Sequence, residues 1–150
     1  MLHIALFEPE IPPNTGNVAR LCAATGSRLH LIGKLGFRID DKQLKRAGLD
    51  YWPYVDLVRH ESFEAFEAIG WERLWVIDNP APRRHTDVRY RDGDCLLFGK
   101  ESTGLPERIR AKYAEQLVSI PMFTEHVRSL NLSTSVGIAA YEALRQVHGW

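Results

Sequence analysis

"DCLLFGKESTGLP", residues 94–106, is the stretch on which the fold turns. Its apolar run is too short for a helix, and turn formers bound it. It therefore reads as a buried strand that delivers Gly99 and Lys100 to the edge of a sheet. Runs of the same kind recur around residues 5 ("HIALFEP"), 30 ("RLHLIG"), 76 ("RLWVIDN") and 119 ("QLVSIPM"). Helical stretches separate them, at 14–25, about 40–47, about 62–69, about 106–113 and 131–147. Alternation of strand and helix implies an α/β fold with a mostly parallel central sheet and helices on both faces.

A phosphate-loop reading of the same stretch fails. Gly93 lies one residue too far from Gly99, and Glu101 occupies the position where a magnesium-binding hydroxyl belongs. No G-x-G-x-x-G follows a strand, so a nicotinamide-binding turn has no support. What remains is a glycine turn at the carboxyl edge of the sheet, where open α/β sheets bind ligands.

The totals bound the function. At 150 residues, with 45% hydrophobic and 25% charged residues, the chain is expected to form one domain, residues 1–150. Zero formal net charge argues against gripping nucleic acid by global attraction, so any basic surface must be local. No apolar run is long enough for a membrane span, and "MLHIALFEPE" lacks a basic leader, so a cytoplasmic location is expected. Cys22 and Cys95 stand apart without CxxC spacing and read as buried free thiols. None of the six histidines has metal-ligand spacing; His3, His30, His60, His85, His126 and His148 read as structural or solvated, and no metal is expected.

In "NTGNVARLCAATG", residues 14–26, Val18, Leu21, Cys22 and Thr25 form the buried stripe of a helix, and Arg20 falls about 200° from Val18, facing outward. Pro12 and Pro13 stop any earlier helix and Asn14 can cap this one. Gly16 permits close approach to the first turn, and the free amides at the helix entrance suit an anion such as phosphate. In the last helix Leu132, Val136, Ala139, Ala140, Ala143, Leu144 and Val147 make one apolar stripe, with Asn131 as cap; Tyr141 lies opposite, near Arg145. Ser129, Asn131, Ser133 and Ser135 crowd its entrance, more polar groups than capping alone requires. Basic clusters occur at Lys34, Arg38, Lys42, Lys45 and Arg46, and at Arg83, Arg84, Arg89 and Arg91. Acids dilute each, which leaves two readings, a solvated face or a track along an RNA backbone.

Taken together, "NTGNVAR", "LFGKESTGLP" and "IPM…VRSLNLSTSVGIAAYEALRQ" resemble the three motifs of the SPOUT RNA ribose 2′-O-methyltransferases. The opening "MLHIALFEPEIPPNTGNVARLCAATG…LHLI…DDKQLKRAGLDYW" is similar to the members that act on the tRNA wobble nucleotide. The resemblance runs from residue 1 to about 147. It implies an α/β knot, a deep trefoil in the carboxyl-terminal half, which the rarity of threaded chains would never suggest. It implies a homodimer, S-adenosyl-L-methionine as methyl donor and the tRNA anticodon arm as partner, with leucine acceptors as expected substrates. By position, Ile77, Gly99, Ile120, Met122, Ser129 and Leu130 would hold the donor. Arg20 matches the arginine the family uses in catalysis; because a guanidinium stays protonated in water, charge stabilisation suits it better than proton abstraction. Asn14 and Asn17 would position the ribose or Arg20, and Arg128 and Tyr141 would contact RNA. The alternatives are a methyltransferase acting on another tRNA position or on rRNA, and a non-catalytic RNA-binding relative.

Overall fold

The computed structural model describes residues 1–40, 42–48 and 51–150. Seven strands form one sheet: β1 (His3–Phe7), β2 (Arg28–Ile32), β3 (Asp56–His60), β4 (Leu74–Ile77), β5 (Arg83–Arg84), β6 (Cys95–Phe98) and β7 (Leu117–Ser119). Their order is β3-β2-β1-β6-β4-β7-β5, and every pairing is parallel. The five strands expected from apolar runs are present. β3 and β5 escaped that reading because they are the sheet's edges: β3 "DLVRH" keeps charges where a central strand would be apolar, and β5 is two arginines long.

Helices cover both faces, as the alternation predicts. Ile4 and Leu6 of β1 point to one side, where α1 (Pro12–Thr25) and α5 (Leu132–His148) bury Val18, Ala19, Cys22, Val136, Ala140 and Ala143. Ala5 and Phe7 point to the other, against Phe63 and Phe66 of α3 (Phe63–Glu67) and Ile109 of α4 (Glu107–Lys112). The short α2 spans Lys42–Gly48, and the Lys45 side chain of the first basic cluster lies outside the described residues. Asn131 caps α5 by accepting from the Thr134 amide at 3.2 Å. Cys22 and Cys95 are buried free thiols, and burial pushes the Cys22 thiol up to about 12.

The start of α1 departs from expectation. Pro12 and Pro13 are its first residues rather than a barrier before it, because proline's missing amide costs nothing in a first turn. Ile11 occupies the capping position without a side-chain bond, and Asn14 lies inside the helix, buried. The buried face is also wider than the stripe read from spacing: Asn14, Thr15, Gly16 and Ala19 join Val18 and Cys22, while Leu21 and Thr25 are only half-buried.

Three histidines prove to be connected. His3 Nδ1 lies 2.9 Å from His30 Nε2, and His30 Nδ1 lies 2.9 Å from His60 Nε2, so β1, β2 and β3 share a ladder of imidazoles packed beside Phe66 and Trp71. Each contact needs one protonated and one bare nitrogen, which three neutral rings in the same tautomeric sense supply. Burial, then the neighbouring His3, His60 and Arg28, pushes His30 down to about 3. Burial also lowers His3, with Arg28 and the amino terminus adding to it, and lowers His60. The unfolded chain binds these protons near pH 6.5 and the folded chain refuses them, so this stability is complete above that value and is lost as pH falls towards the folded-state values. Unfolding free energy should fall between pH 7 and pH 5 by about 2 kcal/mol for His30 alone, read as a lower urea midpoint. A flat midpoint across that interval would refute the neutral ladder.

Candidate active site

β4, β6 and β7 end side by side, and the loops leaving them enclose a cleft of about 740 Å³, within the range of small-molecule sites. Ile77 comes from the end of β4, Gly99 from the turn after β6, and Ile120 from just beyond β7. Ser129, Leu130 and Asn131 come from the approach to α5. The walls combine aliphatic side chains and backbone turns with polar side chains, Asn14, Asp78, Lys100, Glu101 and Arg128 among them.

Gly99 fits there because no other residue could. A Cβ at that position would lie 2.3 Å from the Gly104 carbonyl carbon and 2.5 Å from the Leu105 amide nitrogen, so the turn folds directly onto its own backbone. Lys100 bridges to Gly104, which adopts φ +69°. Asp78, after β4, receives the Asn79 amide at 3.0 Å and the Arg110 guanidinium at 2.8 Å, which fixes the opposite wall.

Carboxylates clamp this turn to the entrance of α1. Glu101 accepts the Glu10 amide at 2.9 Å, the Ile11 amide at 2.6 Å and the Asn14 side-chain amide at 3.4 Å. Reciprocally, Glu10 accepts the Ser102 amide at 2.9 Å and its hydroxyl at 2.6 Å; these bonds hold the Glu10 carboxyl below its usual range. Lys100 pairs with Glu8 at 3.3 Å; Glu8 has φ +45°, an uncommon backbone conformation for a residue with a side chain. Asn14 Oδ1 in turn accepts from Asn131 Nδ2 at 3.0 Å. A continuous chain of bonds thus joins the β6 turn, α1 and the cap of α5.

This corrects the anion-site expectation. The amides leading into α1 are already satisfied by Glu101, a negative charge at the positive end of a helix, so a phosphate has no vacant donors there. Sequence reasoning met Glu101 only as a residue that spoils a phosphate loop. Its partners lie 87 to 91 positions away, and no local signal marks them.

Of the residues singled out from sequence, Asn14, Ile77, Gly99, Ile120, Arg128, Ser129 and Leu130 line the cleft. Arg20, Asn17, Met122 and Tyr141 do not. Arg20 is exposed on α1 with its guanidinium 4.8 Å from the centre of the Tyr51 ring, a stacking contact that the sequence did not reveal. Met122 is half-buried, and Tyr141 is exposed on α5. Among the described residues no three His, Cys, Asp or Glu side chains gather as a metal ion would need, and no helix is long and apolar enough to cross a membrane.

Comparison with known proteins adds a lineage. Residues 1–141 match the SpoU rRNA Methylase family. The tRNA (cytidine(34)-2′-O)-methyltransferase of Escherichia coli (strain K12) is 51% identical over 149 residues, spanning 98% of this chain and 94% of that protein. A solved structure described as giving structural insights into the 2-OH methylation of C/U34 on tRNA superposes with a TM-score of 0.95 at 52% identity, covering 100% of this chain and 98% of that one. The SpoU methyltransferase AviRb from Streptomyces viridochromogenes, solved in complex with the cofactor AdoMet, is 27% identical with a TM-score of 0.83, over 97% of this chain and 60% of its own.

Proposed function

This chain belongs to the SpoU rRNA methylase family, and from that premise we infer that it is a tRNA methyltransferase acting on the ribose 2′-hydroxyl of nucleotide 34. The observation that carries this reading is half identity along nearly the whole chain to a protein named for that activity. The leucine acceptors are the expected tRNAs, and the cytoplasm is the expected compartment; recovery of the protein with membranes would oppose the latter. Residues 1–150 act as one methyltransferase domain, since strands from both halves of the chain share one sheet.

S-adenosyl-L-methionine, when bound, supplies an electrophilic sulfonium methyl group. The cleft suits it: Ile77, Ile120 and Leu130 offer aliphatic walls for the adenine, and the turns at Gly99 and Ser129 offer backbone donors and acceptors. A trefoil knot in the carboxyl-terminal half is expected of the family, and Asn131, leading into α5, is bonded to Asn14 of α1 and, through it, to Glu101 of the β6 turn. Arg128, exposed at the rim, meets a phosphate adjoining the target ribose, while Asn14, bonded to Glu101 and Asn131, acts by holding the cleft's shape.

Arg20 stabilises the charge that grows on the attacking 2′-oxygen, an electrostatic contribution worth a few kcal/mol. Because it does not line its own subunit's cleft, the site needs a second copy that brings one subunit's Arg20 to the other's cleft. Tyr141, Ile138 and Ile11, exposed apolar side chains on α5 and at the start of α1, are suited to such a two-fold contact, and Asn17 and Tyr141 then approach the RNA across it. Sedimentation of micromolar protein should show a dimer; monomer alone would contradict the assembly.

Incubation with methyl-labelled donor and unfractionated tRNA, followed by mapping of the label, tests the function. Label on the ribose of nucleotide 34 is expected. Label confined to rRNA or to another tRNA position would replace the reading, and donor that fails to bind would favour a non-catalytic RNA-binding relative.

A further inference from the structure

A second cleft, of about 530 Å³, lies at the far end of α5. Arg89 and Arg91 form one wall, and Arg145, Gln146 and Trp150 form the other. Ser135 of the same helix lines the donor cleft, so the two sites stand roughly 15 Å apart along α5 at about 1.5 Å per residue.

The wall is built rather than loose. Tyr90 is buried between its two exposed arginine neighbours. Its amide donates to Gln146 Oε1 at 2.9 Å and its hydroxyl donates to the His85 carbonyl at 2.6 Å. Gln146 Nε2 donates to the Val88 carbonyl at 3.1 Å, and the Arg91 amide to Asp94 at 3.0 Å. All of these bonds use backbone groups of residues 88–91 or the side chain of Tyr90, so the two guanidinium groups take no part in holding the segment.

The nearby acids are already engaged. Asp87 pairs with Arg84, Asp94 with Arg73, Glu142 with Arg145, and Asp92 with the amino terminus. Among the described residues neither Arg89 nor Arg91 has a carboxylate partner. Two arginines without a carboxylate partner, one residue apart in the chain, therefore line one cleft of a protein whose net charge is zero, and Asp87, which lines it too, is paired with Arg84. At its rim Trp150 is 66% exposed and stacks on His148 with ring centres 5.3 Å apart, offering a flat apolar surface beside the charges.

We propose that this cleft is a second RNA-binding site, in which Arg89 and Arg91 hold successive backbone phosphates of the tRNA outside the methylated nucleotide and Trp150 packs against the adjoining sugar or base. The inference rests on the reading of the chain as a tRNA methyltransferase. A pair of guanidinium groups carried on a fixed backbone suits phosphates. Contacts to the backbone position a nucleic acid without reading its sequence, so the site contributes affinity and orientation while selection of the nucleotide stays at the donor cleft.

The test compares wild type with Arg89→Ala/Arg91→Ala and Arg89→Lys/Arg91→Lys. Measurements are filter binding of unfractionated tRNA across a salt series, calorimetry with S-adenosyl-L-methionine, and methylation kinetics. For the alanine pair, tRNA affinity should fall about tenfold or more at low salt. The slope of log affinity against log salt should flatten by roughly one to two units, one for each phosphate no longer neutralised. KM for tRNA should rise with kcat and donor affinity unchanged, and the lysine pair should recover much of the loss because the charges remain. Wild-type affinity and salt slope in the alanine pair would overturn the site. So would loss of donor binding together with tRNA binding, which would make the arginines part of the fold. Wild-type protein that neither binds nor methylates tRNA would instead fail the functional reading, which keeps the two failures distinct.

Discussion

Gly99→Ala is expected to abolish measurable donor binding and to lower the melting temperature by roughly 10 °C. The added methyl would sit 2.3 to 2.7 Å from the backbone atoms of Gly104 and Leu105, where no side-chain rotation can relieve it. The turn must open, and opening costs about 3 kcal/mol or more, at the upper end of ordinary overpacking. For a chain of this size each kcal/mol moves the melting point by roughly 2–4 °C. The same movement displaces Lys100, Glu101 and Ser102, and so strains the bonds to Glu8, Glu10, Ile11 and Asn14 that close the donor cleft against α1. Calorimetry with S-adenosyl-L-methionine and a thermal melt would check both parts. Donor affinity and melting temperature equal to wild type would show that the turn is not the closed structure described.

Arg20→Ala should reduce turnover by about 10²- to 10³-fold, the scale of losing one donor to a developing oxyanion, while leaving donor affinity unchanged and lowering the melting temperature by no more than about 4 °C. The change in stability should stay that small because the side chain is exposed and the contact it makes is the face of Tyr51, worth about 0.5–1 kcal/mol at a surface. Arg20→Lys should recover only part of the rate, since an ammonium keeps the charge and loses the planar fork. Mixing Arg20→Ala subunits with subunits blocked in the cleft by Leu130→Trp should restore activity above either alone, because one interface of the mixed dimer then joins an intact arginine to an intact cleft. Unchanged turnover in Arg20→Ala would remove the arginine from the mechanism. Failure of the mixture despite mixed dimers would confine each site to one subunit.

Periodicity in the sequence accounts for the central parallel strands, the two long helices, the Asn131 cap and the glycine turn at the sheet edge, while the family resemblance, by position, named Ile77, Ile120, Ser129 and Leu130, which line the cleft. The reason is that apolar runs and glycine turns respond to local geometry: a buried parallel strand must be apolar on both faces, and the turn after β6 tolerates no side chain at position 99. Edge strands β3 and β5 were not legible, since an edge need not be apolar and two residues carry no period.

The α/β class follows from the alternation of apolar runs and helical stretches, and the family resemblance from three motifs in order. Folding alone brings Glu101 to the entrance of α1, makes Asn14 a bridge instead of a cap, joins three histidines in one ladder, and sets Arg89, Arg91 and Trp150 around a second cleft. The hydrogen-bonded pairs among them join residues from 27 to 117 positions apart. A hydrogen bond or a shared cleft depends on distance in space, and only the folded sheet brings such distant positions together.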